Sequence, residues 1–180
     1  MSALVRACQN RQVPAEVALV VSPKADSPAV QAAKDLGVPV SVMNPADPDY
    51  AGSLVSLLQA EQIEWVCLAG LMTKLPPEFL AAYHGRILNI HPSLLPKFGG
   101  KGMYGMHVHR AVLESGDDAS GCSVHIVTEE YDEGPLVLQL TCPVMPGDSA
   151  ETLAARVLEL EHEAFPAALK SVIESHAAKP

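Results

Sequence analysis

An amide and an imidazole stand two residues apart within residues 87–96, whose sequence is ILNIHPSLLP. Side chains alternate across a strand, so Asn89 and His91 would project from the same face of an extended segment. The carboxyl end of such a strand is where open α/β sheets place their ligands. A buried Asn and His can also satisfy each other's hydrogen bonds, so the spacing alone leaves open both a ligand site and a polar core contact.

A second polar segment, residues 128–135 with the sequence TEEYDEGP, is rich in carboxylates. One of these carboxylates could approach the histidine. A carboxylate that accepts a hydrogen bond from imidazole raises the pKa of the histidine and fixes its tautomer. The alternative is a solvated acidic turn with no chemical role.

Short apolar runs separated by helix patterns must position these polar residues. The runs are typical of buried parallel strands and lie at residues 17–21, 38–42, 65–69 and 87–91. Between them, Ser27 and Pro28 open a helix that Gly37 closes, and Pro48 and Pro77 mark the starts of two more. This βαβα order predicts an α/β fold with a doubly wound, mostly parallel sheet.

The pattern changes after the fourth apolar run. Residues 98–106 hold four glycines and are predicted to form a mobile loop, followed by a helix over residues 107–115. The sequence pattern predicts two strands, at residues 123–128 and 136–142, joined by a turn-rich segment. We therefore predict an antiparallel hairpin near the C-terminus.

The C-terminal residues have a helical pattern. Asp148 and Ser149 provide an N-cap, and Pro166 is expected to interrupt the helix, leaving a last short helix that ends near residue 175. The chain shows no internal repeat and no linker long enough to separate independent domains. We therefore predict a single domain over residues 1–180.

Composition and charge exclude several classes of partner. The 180 residues carry a formal net charge of −9, which argues against nucleic acid because phosphate binding needs clustered Lys and Arg. No run of about 18 apolar residues is present, so a membrane span is not expected. The four cysteines lie far apart without a C-x-x-C motif, which indicates reduced core residues in a cytoplasmic protein.

Two longer motifs carry a family resemblance. Residues 89–96, NIHPSLLP, resemble a signature of the folate-dependent formyltransferases, and residues 123–135, SVHIVTEEYDEGP, resemble a second signature of the same family. The resemblance covers essentially the whole chain from Ser2 onward. It implies a Rossmann-like formyltransferase fold, small-molecule substrates, 10-formyltetrahydrofolate as cosubstrate and no metal.

The resemblance also assigns a catalytic trio and a folate site. It places the catalytic roles on Asn89, His91 and Asp132. An acceptor amine would attack the formyl carbon, Asn89 and protonated His91 would hold the oxyanion, and Asp132 would keep His91 cationic. Asn89 and Asp132 are also expected to contact the folate, together with Leu71, Met72, Thr73, Lys74, Leu75, Thr128, Glu129 and Glu130. The acidic segment near Asp47 leaves the contacts to the glutamate tail open.

The acceptor is indicated by residues 97–109 and by residues 161–162, which resemble the glycinamide ribonucleotide branch of the family. This resemblance implies formyl transfer to glycinamide ribonucleotide in purine synthesis, with Glu161, Met1 and Ser2 next to the acceptor. A surface position for Glu161 is the alternative. The H-x-H motif at 107–109 suits a surface or capping role better than a metal site, because no third ligand is evident.

Members of the family begin with a strand and a glycine- and serine-rich loop that holds the ribonucleotide phosphate, whereas here a helix starts at once. The expectation is therefore an N-terminally truncated member whose natural chain starts upstream. A formyltetrahydrofolate hydrolase and a folate-binding remnant without turnover remain alternatives, while a formyltransferase acting on initiator tRNA is disfavoured by the negative charge. We expect no membrane partner and either a monomer or a homodimer.

Overall fold

The computed structural model describes residues 1–71 and 73–178. Its helices are α1 Ser2–Gln9, α2 Pro28–Asp35, α3 Tyr50–Ala60, α4 Pro77–Ala82, α5 Met106–Ser115 and α6 Ala150–Ala177. Its strands are β1 Val20–Ser22, β2 Val40–Val42, β3 Val66–Leu68, β4 Ile87–His91, β5 Ala119–Ile126 and β6 Leu136–Pro143. The alternation of strand and helix up to β4, and the hairpin of β5 and β6, confirm the predicted α/β organisation.

The strands form two hydrogen-bonded sheets rather than one. β1 pairs in parallel with β2, and a second sheet has the order β3-β4-β5-β6. Within the larger sheet β3 and β4 are parallel, while β4–β5 and β5–β6 are antiparallel. The predicted parallel pairs, β1–β2 and β3–β4, are present, but they lie in separate sheets. The long antiparallel ladder of β5 and β6 dominates the larger sheet, and within the described chain β1 and β3 form no ladder with each other.

Helices cover both faces of the sheet at β4, as a doubly wound arrangement requires. Ile87 belongs to an apolar cluster with residues of α3 and α4, whereas Leu88 belongs to a cluster with residues of α1, α5 and α6. Alternation along the strand therefore puts Asn89 and His91 on the α3–α4 side and Ile90 on the α6 side. Among the described residues, no helix is both long and apolar enough to cross a membrane.

The C-terminal helix is continuous where an interruption was predicted. α6 begins with a capping box in which Ser149 and Thr152 exchange hydrogen bonds, and it runs through Pro166 to Ala177. An interior proline costs about 3 kcal/mol. Phe165 and Leu169, on either side of Pro166, are both buried, and burying one such side chain stabilises by about 1.5–3 kcal/mol. The stabilisation from packing these side chains therefore outweighs the cost of the interior proline.

A glycine at the end of the acidic segment allows the hairpin to close. A Cβ built on Gly134 would overlap the Ile126 carbonyl oxygen and would lie 3.3 Å from the Thr128 side chain. We expect Gly134→Ala to lower the free energy of unfolding by about 1–3 kcal/mol, because the backbone must shift to relieve the overlap. Urea denaturation measures the change.

Gly52 in α3 is the matched control, because a Cβ there meets no atom within 4 Å. Gly52→Ala should raise the stability by about 0.4–1 kcal/mol, through the lower entropy of the unfolded chain. Equal denaturation midpoints for the two variants would contradict this account of Gly134.

Candidate active site

The end of β4 brings a polar cluster together with β5. In the antiparallel register Asn89 lies opposite His125, and His91 lies opposite Ser123. His91 and His125 are buried, while Asn89 is half-buried and keeps some access to solvent. The sheet therefore fixes two imidazoles and one amide around a point at the carboxyl end of β4.

The two ring nitrogens of His91 both face acceptors. Nε2 donates to the carbonyl oxygen of Phe98 at 2.8 Å, and Nδ1 lies 3.5 Å from Oδ2 of Asp132. Burial is the largest influence and lowers the pKa of His91, while Asp132 and the Phe98 carbonyl act in the opposite direction. Asp132 therefore acts in the direction that the sequence analysis expected, towards the imidazolium, while burial opposes it.

Asp132 is held by contacts from three directions. Oδ2 accepts a hydrogen bond from the Gly100 N–H at 2.9 Å, and Oδ1 lies 3.5 Å from Nε2 of His125. Burial acts to raise the pKa of Asp132, but the contacts with His125, Gly100 and His91 outweigh it, so the pKa is lowered. Asp132 also has a φ of 56°, a left-handed conformation that is uncommon for a non-glycine residue and that persists where the surroundings enforce it.

His125 is the functional residue that the sequence reasoning missed. Its Nδ1 lies 3.0 Å from the Ile126 carbonyl oxygen, and its Nε2 lies 3.2 Å from Nδ2 of Asn89. When Nδ1–H donates to that carbonyl, Nε2 can accept one N–H of Asn89, which leaves the other N–H of the amide free. Nε2 of His125 therefore lies close to both Asn89 and Asp132, and the only sequence signal for this residue was its place in the second motif.

Ser123 anchors the loop that follows β4. Its buried hydroxyl donates to the Ser93 carbonyl at 2.6 Å and accepts from the Leu95 N–H at 3.0 Å. The side chain of Gln139 donates to the same hydroxyl at 2.8 Å and to the Leu95 carbonyl at 2.9 Å. This network fixes the start of the loop whose later residues, Phe98 and Gly100, contact the cluster.

The two segments predicted to hold the folate approach each other on the Asn89 side of the sheet. Leu71 and Leu75 pack in the same apolar cluster as Val127, which directly precedes the second segment. The other described residues of 71–75 and 128–130 are exposed, namely Thr73, Lys74, Thr128, Glu129 and Glu130, whereas Asn89 and Asp132 are half-buried. Met72, also predicted, lies outside the described residues.

A cavity of about 130 Å³ lies on the α6 side. Of the residues predicted for the acceptor, Met1 and Glu161 line it, together with Ile90, whose neighbours in β4 are the predicted catalytic residues. Ser2 begins α1 and is not among the described residues that line the cavity. Burial raises the pKa of Glu161, and the Met1 amino group opposes that effect.

The H-x-H motif lies at the start of α5. The His107 ring packs edge-on against Tyr104 with the ring centroids 5.3 Å apart, and His109 is buried with Nδ1 lacking a hydrogen-bond partner. Within residues 1–71 and 73–178, no group of three His, Cys, Asp or Glu side chains is arranged to hold a metal ion.

The histidine titration gives a direct check on the cluster. We expect the ring of His91 to titrate below its ordinary pKa of 6.5 because burial disfavours the cation. Asp132→Asn should lower the pKa further, since the substitution removes an anion that stabilises the imidazolium. Proton NMR follows the titration, with the His91 signal identified by its loss in His91→Asn. An unchanged pKa of His91 in Asp132→Asn would show that the carboxylate is not coupled to His91.

Comparison with known proteins identifies the family. Residues 1–169 match the family model described as formyl transferase. A phosphoribosylglycinamide formyltransferase of Escherichia coli is 39% identical over 170 residues, which cover 92% of this chain and 78% of that protein. A chloroplastic phosphoribosylglycinamide formyltransferase of Arabidopsis thaliana is 41% identical over 172 residues, covering 93% of this chain. The chain spans 59% of the length of this plant protein and 52% of its Vigna unguiculata counterpart.

Solved structures agree with this result. A glycinamide ribonucleotide transformylase of Symbiobacterium toebii superposes with a TM-score of 0.89 at 38% identity, over 97% of this chain and 82% of that one. A formyltetrahydrofolate deformylase of Pseudomonas syringae gives a TM-score of 0.84 at 25% identity, over 97% of this chain and 57% of that one. The chain has the Rossmann-like formyltransferase fold, and it belongs to the formyl transferase family.

Proposed function

We propose that the chain transfers the formyl group of 10-formyltetrahydrofolate to the amine of glycinamide ribonucleotide, a step of purine synthesis. The observation that carries the proposal is the cluster of Asn89, His91 and Asp132 at the end of β4, with Nδ1 of His91 3.5 Å from the carboxylate. The relatives at 39–41% identity are named for this transfer. An amide donor and an imidazole beside a carboxylate suit the stabilisation of an oxyanion.

In the proposed reaction the acceptor amine forms a bond to the formyl carbon, and the carbonyl electrons move onto oxygen. The free N–H of Asn89 donates to the resulting oxyanion, and the positive charge of protonated His91 stabilises it. The amine loses a proton, and the folate nitrogen gains one as its bond to the formyl carbon breaks. Asp132 favours the protonated form of His91 while the oxyanion exists, because both charges of the imidazolium–carboxylate pair lie within the buried cluster.

The two substrates would approach β4 from opposite faces. The folate lies on the α3–α4 side, where Leu71 and Leu75 provide apolar surface and residues 128–132 provide the facing backbone. The acceptor enters the cavity on the α6 side, where Glu161 and Ile90 form part of the wall. A half-buried carboxylate such as Glu161 is suited to accept hydrogen bonds from the amine or hydroxyl groups of a ribonucleotide.

A second candidate is hydrolysis of the same donor, with water in place of the amine. The structural similarity to the deformylase favours hydrolysis. The sequence identity to that protein, 25%, is lower than the identity to the transferases. A folate-binding chain without turnover is a third outcome of the same test.

We propose further that the chain is one domain, works on small molecules as a monomer or homodimer, and resides in the cytoplasm. Three of its four free cysteines are buried, which suits a reducing compartment.

The release of tetrahydrofolate, measured with and without glycinamide ribonucleotide, tests the proposal. Release that depends on the ribonucleotide is the expected result, because only the amine should complete the reaction. Equal release in its absence would replace the proposal by hydrolysis. Folate binding without release would leave the chain as a binding protein.

A further inference from the structure

A row of three polar side chains crosses the larger sheet next to the loop that follows β4. His91 lies opposite Ser123 in the register of β4 and β5, and Ser123 lies opposite Gln139 in the register of β5 and β6. Residues directly opposite each other project from the same face of a sheet. The three side chains therefore face the loop from one side, although Gln139 lies outside both family motifs.

Gln139 forms the outer end of this row, on the edge strand β6, where it is exposed. Both N–H groups of its amide are nevertheless engaged: Nε2 donates to the Leu95 carbonyl at 2.9 Å and to the Ser123 hydroxyl at 2.8 Å. The same hydroxyl donates to the Ser93 carbonyl and accepts from the Leu95 N–H. The amide therefore fills the last hydrogen-bonding position of a hydroxyl that anchors the loop.

The same loop carries the carbonyl that holds the His91 ring. The buried Ser93 hydroxyl donates to the Lys97 carbonyl at 2.7 Å. The next residue, Phe98, has a φ of 56° and accepts a hydrogen bond from Nε2 of His91 at 2.8 Å. A connected set of hydrogen bonds thus leads from the Gln139 amide, through the loop, to the His91 ring.

We propose that Gln139 is a positioning residue for His91 that acts through the loop of residues 93–98, an inference that rests on the proposed function for its effect on turnover. By anchoring the start of the loop, the amide keeps the Phe98 carbonyl where it accepts from Nε2 of His91. Nδ1 is then directed at Asp132, so both nitrogens of an imidazolium have an acceptor. Without the amide the loop can shift, and a misplaced catalytic group loses rate steeply.

The first test is the kinetics of Gln139→Met, which keeps the length of the side chain but removes both N–H donors. In formyl transfer, kcat should fall about tenfold, because the orientation of His91 changes. KM should change less than twofold, since the substrate contacts stay in place. Thr141→Val, on the same face of β6 and also exposed, is the matched control and should change neither constant.

The pKa of His91 is a readout that a loss of stability alone would not move. The Phe98 carbonyl acts to raise this pKa, so Gln139→Met should lower it. Proton NMR follows the titration. The titratable neighbours of the ring are unchanged in this variant: Asp132, His125 and His109.

A second variant interrupts the same network at another point. Ser93→Ala removes the hydroxyl that donates to the Lys97 carbonyl, and it should also lower kcat and the pKa of His91. If both residues act through one loop, the double variant should lose little more kcat than the more impaired single variant.

An unchanged pKa of His91 or a normal kcat in Gln139→Met would overturn the inference. Losses of kcat that multiply in the double variant would overturn it as well, because they would show that the two residues act independently. Absence of formyl transfer by the unaltered chain would overturn the proposed function instead. The titration needs no substrate, so it would still decide whether Gln139 positions His91.

Discussion

Asn89→Ala should lower kcat by roughly 10²-fold or more while the chain stays folded. The amide is half-buried at the end of β4, and one of its N–H groups is engaged by Nε2 of His125 at 3.2 Å. The other N–H is the donor that we assign to the oxyanion. Removing one preorganised donor of this kind costs about 3–4 kcal/mol of transition-state stabilisation.

The kinetic constants distinguish this role from simple substrate binding. Loss of a donor that acts only in the transition state lowers kcat and kcat/KM together, whereas loss of uniform binding raises KM alone. Steady-state kinetics with denaturation controls measure the difference. An Asn89→Ala chain with near-normal turnover would remove Asn89 from the mechanism.

Asp132→Ala is the second substitution with a large expected effect, again roughly 10²-fold or more in kcat. The carboxylate lies 3.5 Å from each of two imidazoles and accepts the Gly100 N–H at 2.9 Å. Its removal withdraws the charge that favours protonated His91 and also frees the glycine-rich loop. Both changes weaken the stabilisation of the oxyanion.

Asp132→Asn separates the two contributions, because its side-chain oxygen can still accept from Gly100 but carries no charge. If charge is decisive, Asn and Ala at this position lose similar activity. If Asn restores most of the activity, the role of Asp132 is to position the loop. Asp35→Ala, on the exposed end of α2, controls for the general loss of an aspartate and should leave kcat unchanged.

The parts of the site set by local geometry could be predicted from the sequence. Asn89 and His91 share a face because strand side chains alternate, and the resemblance added Asp132. The start of α2 was also predicted correctly, since Ser27 precedes the helix and its side chain accepts a hydrogen bond from the Val30 N–H. These features depend on residues close together in the chain or on a motif long enough to be specific.

The parts set by long-range packing could not be predicted. His125 faces Asn89 because of the register between β4 and β5, which joins residues 36 apart in sequence. The Phe98 carbonyl reaches His91 only because the loop after β4 turns back on itself. The burial of His91, which acts against the carboxylate beside it, depends on the whole fold and could not be predicted either.

The most direct test of the account follows the formyl carbon itself. The donor is labelled with ¹³C in the formyl group, incubated with glycinamide ribonucleotide and the chain, and the products are examined by mass spectrometry. We predict that the label appears on the ribonucleotide amine in proportion to the tetrahydrofolate released, and roughly 10²-fold more slowly with Asn89→Ala. Label that appears as formate whether or not the ribonucleotide is present would contradict the assignment of an amine acceptor.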